Sequence, residues 1–252
     1  MKFKIAVLVI SVYCLTLIAH IPASLLGKVL PNSVKMSQLT GTLWQGNAAI
    51  LNIKQPQLSL KNVQWDISLF SSLFNFALVA DIAFSNGPKQ MSGDAHVEYG
   101  SDGIRLSNLT FDMNSQALMP LLSLPLPLPV TVTGELSLNV PDFTQGAPYC
   151  EQLQGTLIWN NATVDSQFGH VDLASPRTDL SCDNGHVVAL MTQQSEQLRS
   201  QLKVTLLVGN AYQLTGEIEA TEKLPATIAQ SLTWFGKKND AGVTQVNLKG
   251  KL

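Results

Sequence analysis

Residues able to bind a metal ion are concentrated in one stretch of the second half of the chain. This stretch contains six acidic and imidazole side chains, namely Asp165, His170, Asp172, Asp179, Asp183 and His186. Their spacings match no compact zinc-binding or calcium-binding loop. They also alternate with apolar residues, which is typical of the solvated face of β-strands. We therefore expect these residues to bind no metal, and we predict no cofactor for the chain.

The sequence contains no motif of a familiar catalytic site. It lacks the Gly-x-Ser-x-Gly elbow, the His-Glu-x-x-His helix, the phosphate-binding loop and the dinucleotide fingerprint. Only four histidines are present, and His20 lies in an apolar N-terminal stretch. With a net charge of −2 and no basic stripe, the chain does not attract nucleic acid. These observations favour a non-catalytic protein that does not bind nucleic acid.

Three cysteines are the remaining candidates for chemistry. Cys14 lies in the apolar N-terminal stretch, whereas Cys150 and Cys182 flank the first strands predicted for the second half. In an oxidising compartment these two would form a disulfide, closing a loop of about 33 residues and stabilising the fold by roughly 3–4 kcal/mol. The alternative is a pair of buried thiols. We predict the disulfide and a free Cys14.

The elements that hold these residues begin with the apolar N-terminal segment. No Asp, Glu, Lys or Arg interrupts residues 5–26, and this length is sufficient to cross a bilayer. A cleaved signal peptide is the alternative, but it requires small residues before the cleavage site, where large side chains stand. We predict a cytoplasmic tail over residues 1–4 and an uncleaved transmembrane anchor over residues 5–26 that contacts the lipid bilayer. Everything from residue 27 onward is then translocated.

The composition of the remaining chain predicts a β-sheet protein. Charged residues make up only 13% of the sequence, about half of the usual share, whereas apolar residues make up 45%. Many short stretches alternate between apolar and polar residues, as half-buried strands do. We predict a mostly β fold, with a curved, mainly antiparallel sheet, one packed face and a few short helices.

Five glycines interrupt the predicted strands in the same local pattern, apolar-x-Gly-x-apolar. They are Gly41, Gly134, Gly155, Gly216 and Gly250. Glycine weakens a strand, so these placements need a physical reason. We expect each missing side chain to make room for a neighbouring aromatic residue or to let the sheet bend.

An internal sequence similarity predicts two related halves. The strand-like stretch at residues 38–50 returns in similar form at residues 152–164. We therefore divide the translocated part into a first half (residues 27–140), a linker (residues 141–148) and a second half (residues 149–252). Between these strands, two short helices are predicted at 66–74 and 225–235, and alternating Leu and Pro at 119–129 predict an extended lead-in to a strand.

Several of these features together resemble one protein family. After the N-terminal segment, residues 41–48 read Gly-Thr-Leu-Trp-x-Gly-x-Ala and include the motif aromatic Trp44. A second aromatic, Trp65, ends a strand before an apolar helix, and the Leu-Pro segment precedes a glycine strand. The cysteine pair brackets Leu-x-Gly-Thr-Leu. Over essentially its whole length the chain resembles the type II secretion system protein N family, also called general secretion pathway protein N.

The resemblance implies a single-pass protein of the bacterial inner membrane, with the bulk of the chain in the periplasm. It implies a role in the export of folded proteins across the outer membrane, and it supplies no catalytic residues. The implied partners are other type II secretion subunits of the inner membrane or periplasm. The unpaired backbone groups at the sheet edges are candidates for these contacts.

The alternative function is that of a lipid-handling envelope protein of the AsmA or TamB type. A curved sheet with one apolar face can form a groove for acyl chains. Such a groove would leave a contiguous apolar strip uncovered on the sheet. A packed subunit would instead cover that face with the helices predicted at residues 66–74 and 225–235.

Overall fold

The computed structural model describes residues 2–54, 58–88, 90–118 and 130–251. Within these ranges fifteen strands form one sheet, and every pair of neighbouring strands is antiparallel. This confirms the predicted mostly β, antiparallel fold. The Leu-Pro lead-in predicted at residues 119–129 lies outside the described residues.

The strands in chain order are β1 (Val34–Gly41), β2 (Gln45–Ile53), β3 (Leu58–Ile67), β4 (Leu78–Ser85), β5 (Ser92–Gly100), β6 (Gly103–Asn114), β7 (Val130–Gln145), β8 (Cys150–Ser166), β9 (Gly169–Ala174), β10 (Arg177–Asp183), β11 (His186–Gln194), β12 (Leu198–Leu207), β13 (Ala211–Ala220), β14 (Gly236–Lys238) and β15 (Thr244–Lys251). The α-helices are α1 (Lys2–Ala19), α2 (Leu26–Val29), α3 (Leu69–Asn75) and α4 (Ala226–Ser231). Single turns of 3₁₀ helix lie at Ala23–Leu25, Ser115–Ala117, Val208–Asn210 and Leu232–Trp234.

The order of strands across the sheet follows the chain almost throughout. It runs from β1 to β8, continues with β10 to β13, and finishes with β15 and β14, while β9 pairs with β8 alone. Because successive strands run up and down, their turns collect at two ends of the sheet. We call the end with the β1–β2, β5–β6 and β7–β8 turns the α1 end. The opposite end, with the β8–β9 turn and α4, is the α4 end.

The predicted linker at residues 141–148 is wrong over its first five residues. Residues 141–145 belong to β7, which pairs with β6 on one side and β8 on the other. Pro141 is accommodated because the β7–β8 register shifts between Asn139 and Asp142, so this position needs no regular ladder bond. The sheet therefore continues without interruption across the predicted boundary between two halves.

The two similar stretches, residues 38–50 and 152–164, adopt different structures. The first is divided between β1 and β2, which form a hairpin with its turn at Thr42 to Trp44, so the prediction of one continuous strand is wrong. The second lies entirely within β8. The difference begins at Gly41, whose φ of +87° turns the chain, whereas its counterpart Gly155 stays in the extended ladder.

The continuous anchor predicted over residues 5–26 is also wrong as a single helix. Helix α1 ends at Ala19, and Pro22 has an extended backbone with φ −72° and ψ 143°. Proline lacks the N–H group that a helix interior needs and forces its predecessor out of the helical region. In the part of the chain that the structure describes, no helix has both the length and the apolar character required to cross a membrane.

Asparagines in left-handed conformation bend several strands. Asn62, Asn108 and Asn161 have φ values of 48°, 52° and 51°, and all three lie inside strands. Next to Asn108 and Asn161 the pairing register shifts by one residue. Asparagine tolerates this conformation better than most residues because its short side chain can bond locally. Sheet curvature therefore arises from asparagines as well as from the glycines predicted to cause it.

The core is divided into three clusters along the sheet. One surrounds Trp65 near the α1 end, a second surrounds Met113 in the middle, and the third is covered by α4 and the turn after it. In the third cluster, Leu224 and Leu232 pack against Ile218 and Val246 of the sheet. The helix predicted at 225–235 thus covers part of the apolar face as expected.

Candidate functional site

The turn between β1 and β2 is built by Thr42 and Gln45. The backbone N–H of Thr42 donates to the carbonyl of Gln45 at 2.8 Å, and the N–H of Gln45 donates to the Thr42 hydroxyl at 3.1 Å. These bonds place Leu43 and Trp44, both half-buried, at the tip of the hairpin turn. A side chain at Gly41 would place its Cβ 2.5 Å from the Gln45 carbonyl oxygen. Glycine is therefore required at this position by both conformation and space.

The tip of this hairpin holds the C-terminal end of α1. The indole N–H of Trp44 donates to the carbonyl of Ile18 at 2.7 Å, and the backbone N–H of Leu43 donates to the carbonyl of Ile21 at 2.7 Å. The last carbonyls of a helix have no partner within the helix and need one elsewhere. Trp44 supplies such a partner. The motif aromatic thus fastens the N-terminal segment to the sheet.

Trp65 supports the same tip from the neighbouring strand. Its indole N–H donates to the carbonyl of Leu43 at 3.0 Å, and its ring lies directly over Gly46, its cross-strand neighbour. Two residues further on, the backbone N–H of Ile67 donates to the carbonyl of Trp44 at 2.6 Å. The two tryptophans singled out in the sequence therefore meet at one joint, which connects α1, the β1–β2 tip and the end of β3.

Helix α3 follows this joint directly, and its apolar side chains are exposed. Phe70, Leu73, Phe74 and Phe76 are 80%, 71%, 78% and 90% exposed. The helix connects β3 to β4 at the α1 end instead of lying across the sheet face. The expectation that the helix at 66–74 would cover the apolar face is therefore wrong.

The remaining strand glycines have three different kinds of neighbour. At Gly134 and Gly250 an added Cβ would lie 2.7 Å from Trp159 Nε1 and 2.5 Å from Tyr212 Cζ, so an aromatic ring fills the space as expected. Gly216 instead meets the backbone of the neighbouring strand. Gly155 meets the Val140 side chain at 3.0 Å.

Cys150 and Cys182 form a disulfide between the start of β8 and the end of β10. The bond links neighbouring strands of the sheet, because β10 pairs directly with β8. Cys14 is a free, exposed cysteine in α1. The cysteines thus occupy the states predicted for them from the sequence.

The acidic and imidazole residues of the second half are spread over several separate contacts. Asp165 pairs with His170 at 2.8 Å, Asp179 with Arg177 at 2.9 Å, and the His186 ring contacts the Leu206 carbonyl. The side chain of Asp172 accepts from the backbone of Ala174, and that of Asp183 accepts from Asn184. Across residues 2–54, 58–88, 90–118 and 130–251, no group of three His, Cys, Asp or Glu residues is placed to hold a metal ion.

A cavity with many polar lining residues lies beside the joint, on β1 to β6. It has a volume of about 590 Å³ and is open to solvent. Its lining includes Asp81 and His96, whose carboxylate and imidazole are 2.7 Å apart, and Asp94, which accepts from the Thr110 hydroxyl. Each acidic group already has a polar partner, so the cavity offers a hydrated surface and no aligned catalytic set. The sequence reasoning did not find this cavity, because its residues come from six strands.

The two edges of the sheet differ in how much backbone they offer. β1 forms one edge, and Pro22 bridges to Thr42 at its end. At the other edge β14 pairs only with residues 244–246 of β15. Residues 247–251 of β15 therefore pair with β13 on one side and have an open side facing outward in the described part of the sheet. Such an open side can accept a strand from another protein.

Comparison with known sequences identifies the family. The profile described as type II secretion system (T2SS), protein N matches residues 32–247. The chain belongs to the type II secretion system protein N family. The match covers every strand from β1 to β14 and ends within β15. It thus includes the whole Trp44–Trp65 joint apart from the end of α1.

Full-length relatives of the protein N family agree with this assignment. Proteins named type II secretion system protein N from Vibrio cholerae serotype O1 and Aeromonas hydrophila are each 29% identical to the chain. These alignments cover 96% and 100% of the chain, and 95% and 99% of the relatives. The protein of the same name from Pectobacterium carotovorum is 29% identical over 98% of the chain and 96% of its own length. No solved structure matches the chain.

Proposed function

We propose that the chain is a non-catalytic, membrane-attached subunit of the type II secretion system. The observation that carries this proposal is the family match over residues 32–247, supported by relatives of the same name that align along nearly their whole length. Protein N of this system would take part in exporting folded proteins across the outer membrane. Its contribution would come from binding other subunits.

Two structural features support a periplasmic location of the sheet. Disulfides persist in oxidising compartments such as the periplasm, and Cys150 and Cys182 are bonded. Helix α1 exposes apolar side chains on all sides, among them Val7, Leu8 and Ile10. Water is a poor environment for such a surface, and lipid is a favourable one. We propose that α1 attaches the chain to the inner membrane, with the sheet on the periplasmic side.

The open edge of β15 is one candidate for contact with another subunit. Its outward side is unpaired over residues 247–251, and Lys249 and Lys251 are exposed there. Lysines on an edge discourage pairing with unrelated strands. A partner strand bearing acidic side chains would bind this edge and neutralise both charges.

Deletion of the gene followed by a secretion assay tests the subunit role. We expect a folded substrate of the system to accumulate in the periplasm and to return to the medium when the full chain is supplied. A resident periplasmic enzyme, which should stay in the cells throughout, controls for leakage. Full secretion without the protein would contradict the proposal.

A reporter that is active only in the periplasm, fused after Leu252, tests the orientation. It should be active, and the chain should stay with the membrane fraction. The same reporter on a variant that lacks residues 2–26 provides the matched control and should be inactive. An inactive C-terminal reporter would contradict the periplasmic location.

The lipid-handling alternative gains support from one observation, the exposed apolar side of α3 at residues 69–76. The α4 end argues against it, because Leu224 and Leu232 cover the apolar face there. Phospholipid extracted from the purified chain decides between the two functions. Co-purified lipid together with normal secretion in the deletion strain would favour the alternative.

A further inference from the structure

The apolar surface of α3 is a fixed feature of the fold. Its polar side faces the sheet: the N–H of Ser68 donates to the carbonyl of Val79 at 2.9 Å, and the N–H of Val79 donates to the Ser72 hydroxyl at 2.9 Å. A surface helix normally buries its apolar side and exposes its polar side. In α3 the orientation is reversed: the polar side faces the sheet and the apolar side faces outward. Hydrogen bonds to β4 fix this orientation.

The exposed side chains form a concentrated aromatic surface. Three of the nine phenylalanines of the chain, Phe70, Phe74 and Phe76, lie within this short segment. Phe76 caps the helix with φ 51°, which directs its ring outward, and it is 90% exposed. Leu78 and Tyr99, which pair across β4 and β5 beside the helix, are 44% and 59% exposed. The apolar surface thus extends from α3 onto the adjacent strands.

This surface lies next to the point where α1 leaves the sheet. Ile67, just before the α3 cap, bonds to the Trp44 carbonyl, and the Trp44 indole bonds to the carbonyl of Ile18 in α1. These two hydrogen bonds, both made by Trp44, connect the start of α3 to the end of α1. Any lipid surface that surrounds the end of α1 therefore lies within reach of α3.

The charge of α3 points to lipid as the occupant. The helix sequence, Leu-Phe-Ser-Ser-Leu-Phe-Asn, has no charged residue, so its insertion requires no buried charge. Short apolar helices with aromatic side chains lie in the membrane interface with their apolar face about 5–10 Å deep. We propose that α3 is a second membrane contact, inserted into the periplasmic leaflet beside α1. This inference rests on the proposed attachment of α1.

Site-specific fluorescence in phosphatidylcholine vesicles tests the proposal on the full chain. In a Cys14→Ser background, single labels are attached to Phe74→Cys in α3, to Ile10→Cys in α1 and to Lys223→Cys at the α4 end. Phe74 and Lys223 are both exposed, so labelling leaves the fold intact. The disulfide protects the other two cysteines from the label.

We expect a blue shift at Phe74 and strong quenching there by a quencher attached near the lipid headgroup. The label at Ile10 should be quenched best by a quencher near the acyl chain ends, and the label at Lys223 by neither. Quenching at Ile10 without quenching at Phe74 would overturn the α3 proposal and leave the α1 attachment intact. Absence of quenching at Ile10 would overturn that attachment and, with it, the proposal that α3 is a second contact beside α1.

A protein occupant would give a different result. If a second copy or another chain covers α3, the Phe74 label shifts to the blue but is not quenched by lipid-borne groups. That outcome also overturns the proposal. Because α3 itself carries no charged residue, quenching at Phe74 should change little with salt or with added phosphatidylglycerol.

Discussion

At the scale of single residues, glycines in the strands are fixed by what surrounds them. The Trp65 ring lies over Gly46 and the Tyr212 ring over Gly250, so each ring occupies the volume of a missing side chain. Gly41 differs, because its φ of +87° and the nearby Gln45 carbonyl oxygen restrict the backbone itself. A ring can move when a methyl group is added beneath it, whereas a backbone carbonyl in a tight turn cannot move without breaking the turn.

We therefore expect Gly41→Val to lower the free energy of unfolding by more than Gly155→Val. Valine at Gly41 faces both a left-handed backbone and a carbonyl at 2.5 Å, whereas at Gly155 it meets the movable Val140 side chain at 3.0 Å. The expected losses are about 3 kcal/mol or more and about 1–2 kcal/mol. Thermal unfolding in mild detergent measures both.

Gly27→Ala is the control for these substitutions. An added Cβ there lies 3.8 Å from the Leu39 side chain, which is an ordinary contact, and Gly27 is in α2. Alanine should leave the stability unchanged or raise it by up to about 1 kcal/mol. If both valine variants unfold at the same temperature as the parent protein, the close packing around Gly41 and Gly155 is incorrect.

Trp44→Phe separates the hydrogen bond of the joint from its apolar contact. Phenylalanine keeps a ring at the hairpin tip but has no N–H for the Ile18 carbonyl. We expect the free energy needed to open the contact between the end of α1 and the hairpin tip to fall by about 1 kcal/mol. Hydrogen exchange at residues 18–21 should accelerate accordingly. Trp234→Phe, at the α4 end where the Trp234 ring lies edge-on to Phe168, should leave exchange at these residues unchanged.

At the scale of elements, the disulfide joins β8 to β10 in the interior of the sheet. Replacing both Cys150 and Cys182 by Ser should destabilise the fold by roughly 3–4 kcal/mol, because the unfolded chain regains the freedom of the closed loop. Urea unfolding with and without reductant measures this loss. Cys14→Ser is the matched control and should change nothing. Equal stability of the double variant and the parent would contradict the prediction.

The strands could largely be predicted from the sequence, because apolar alternation reports directly on a half-buried sheet. The turn at Thr42 to Trp44 could not, since the alternation continues unbroken through it. The orientation of α3 could not be predicted either. The same apolar spacing fits a helix whose apolar side faces the sheet and one whose apolar side faces outward. Only the bonds from Ser68 and Ser72 to Val79 decide between them.

The candidate site was only half accessible from the sequence. Trp44 and Trp65 stood out as motif aromatics, but their meeting at one joint depends on the β2–β3 register, which pairs Gly46 with Trp65. The disulfide was accessible because two cysteines flanked predicted neighbouring strands. The sequence did not predict the bends at Asn62, Asn108 and Asn161. Asparagine in a strand pattern normally suggests a polar face or a turn.

At the scale of the whole molecule, the surface is large for the chain length. The accessible area is 16,102 Å², whereas a compact monomer of 27.3 kDa would have about 11,000 Å². A sheet covered by helices in only part of its length buries less of itself. Much of the remaining surface is therefore accessible in the isolated chain.

This excess predicts an unusually gradual response to urea. The dependence of the free energy of unfolding on urea concentration scales with the area exposed on unfolding. Because the folded chain already exposes much of its surface, the slope should lie below that of compact single domains of equal length. Urea titration followed by circular dichroism measures it. A slope typical of a compact domain would show that the isolated chain closes further than described here.

The joint at Trp44 also has a mechanical consequence. A strand of 17 residues such as β8 spans roughly 50 Å, so the α4 end lies that far from the end of the sheet that holds α1. A rotation of about 10° at the joint would sweep the α4 end through about 9 Å, given that strand length. The sheet therefore acts as a lever whose pivot is two tryptophans and a helix end. A small change in the angle between α1 and the sheet would therefore produce a large displacement of the α4 end.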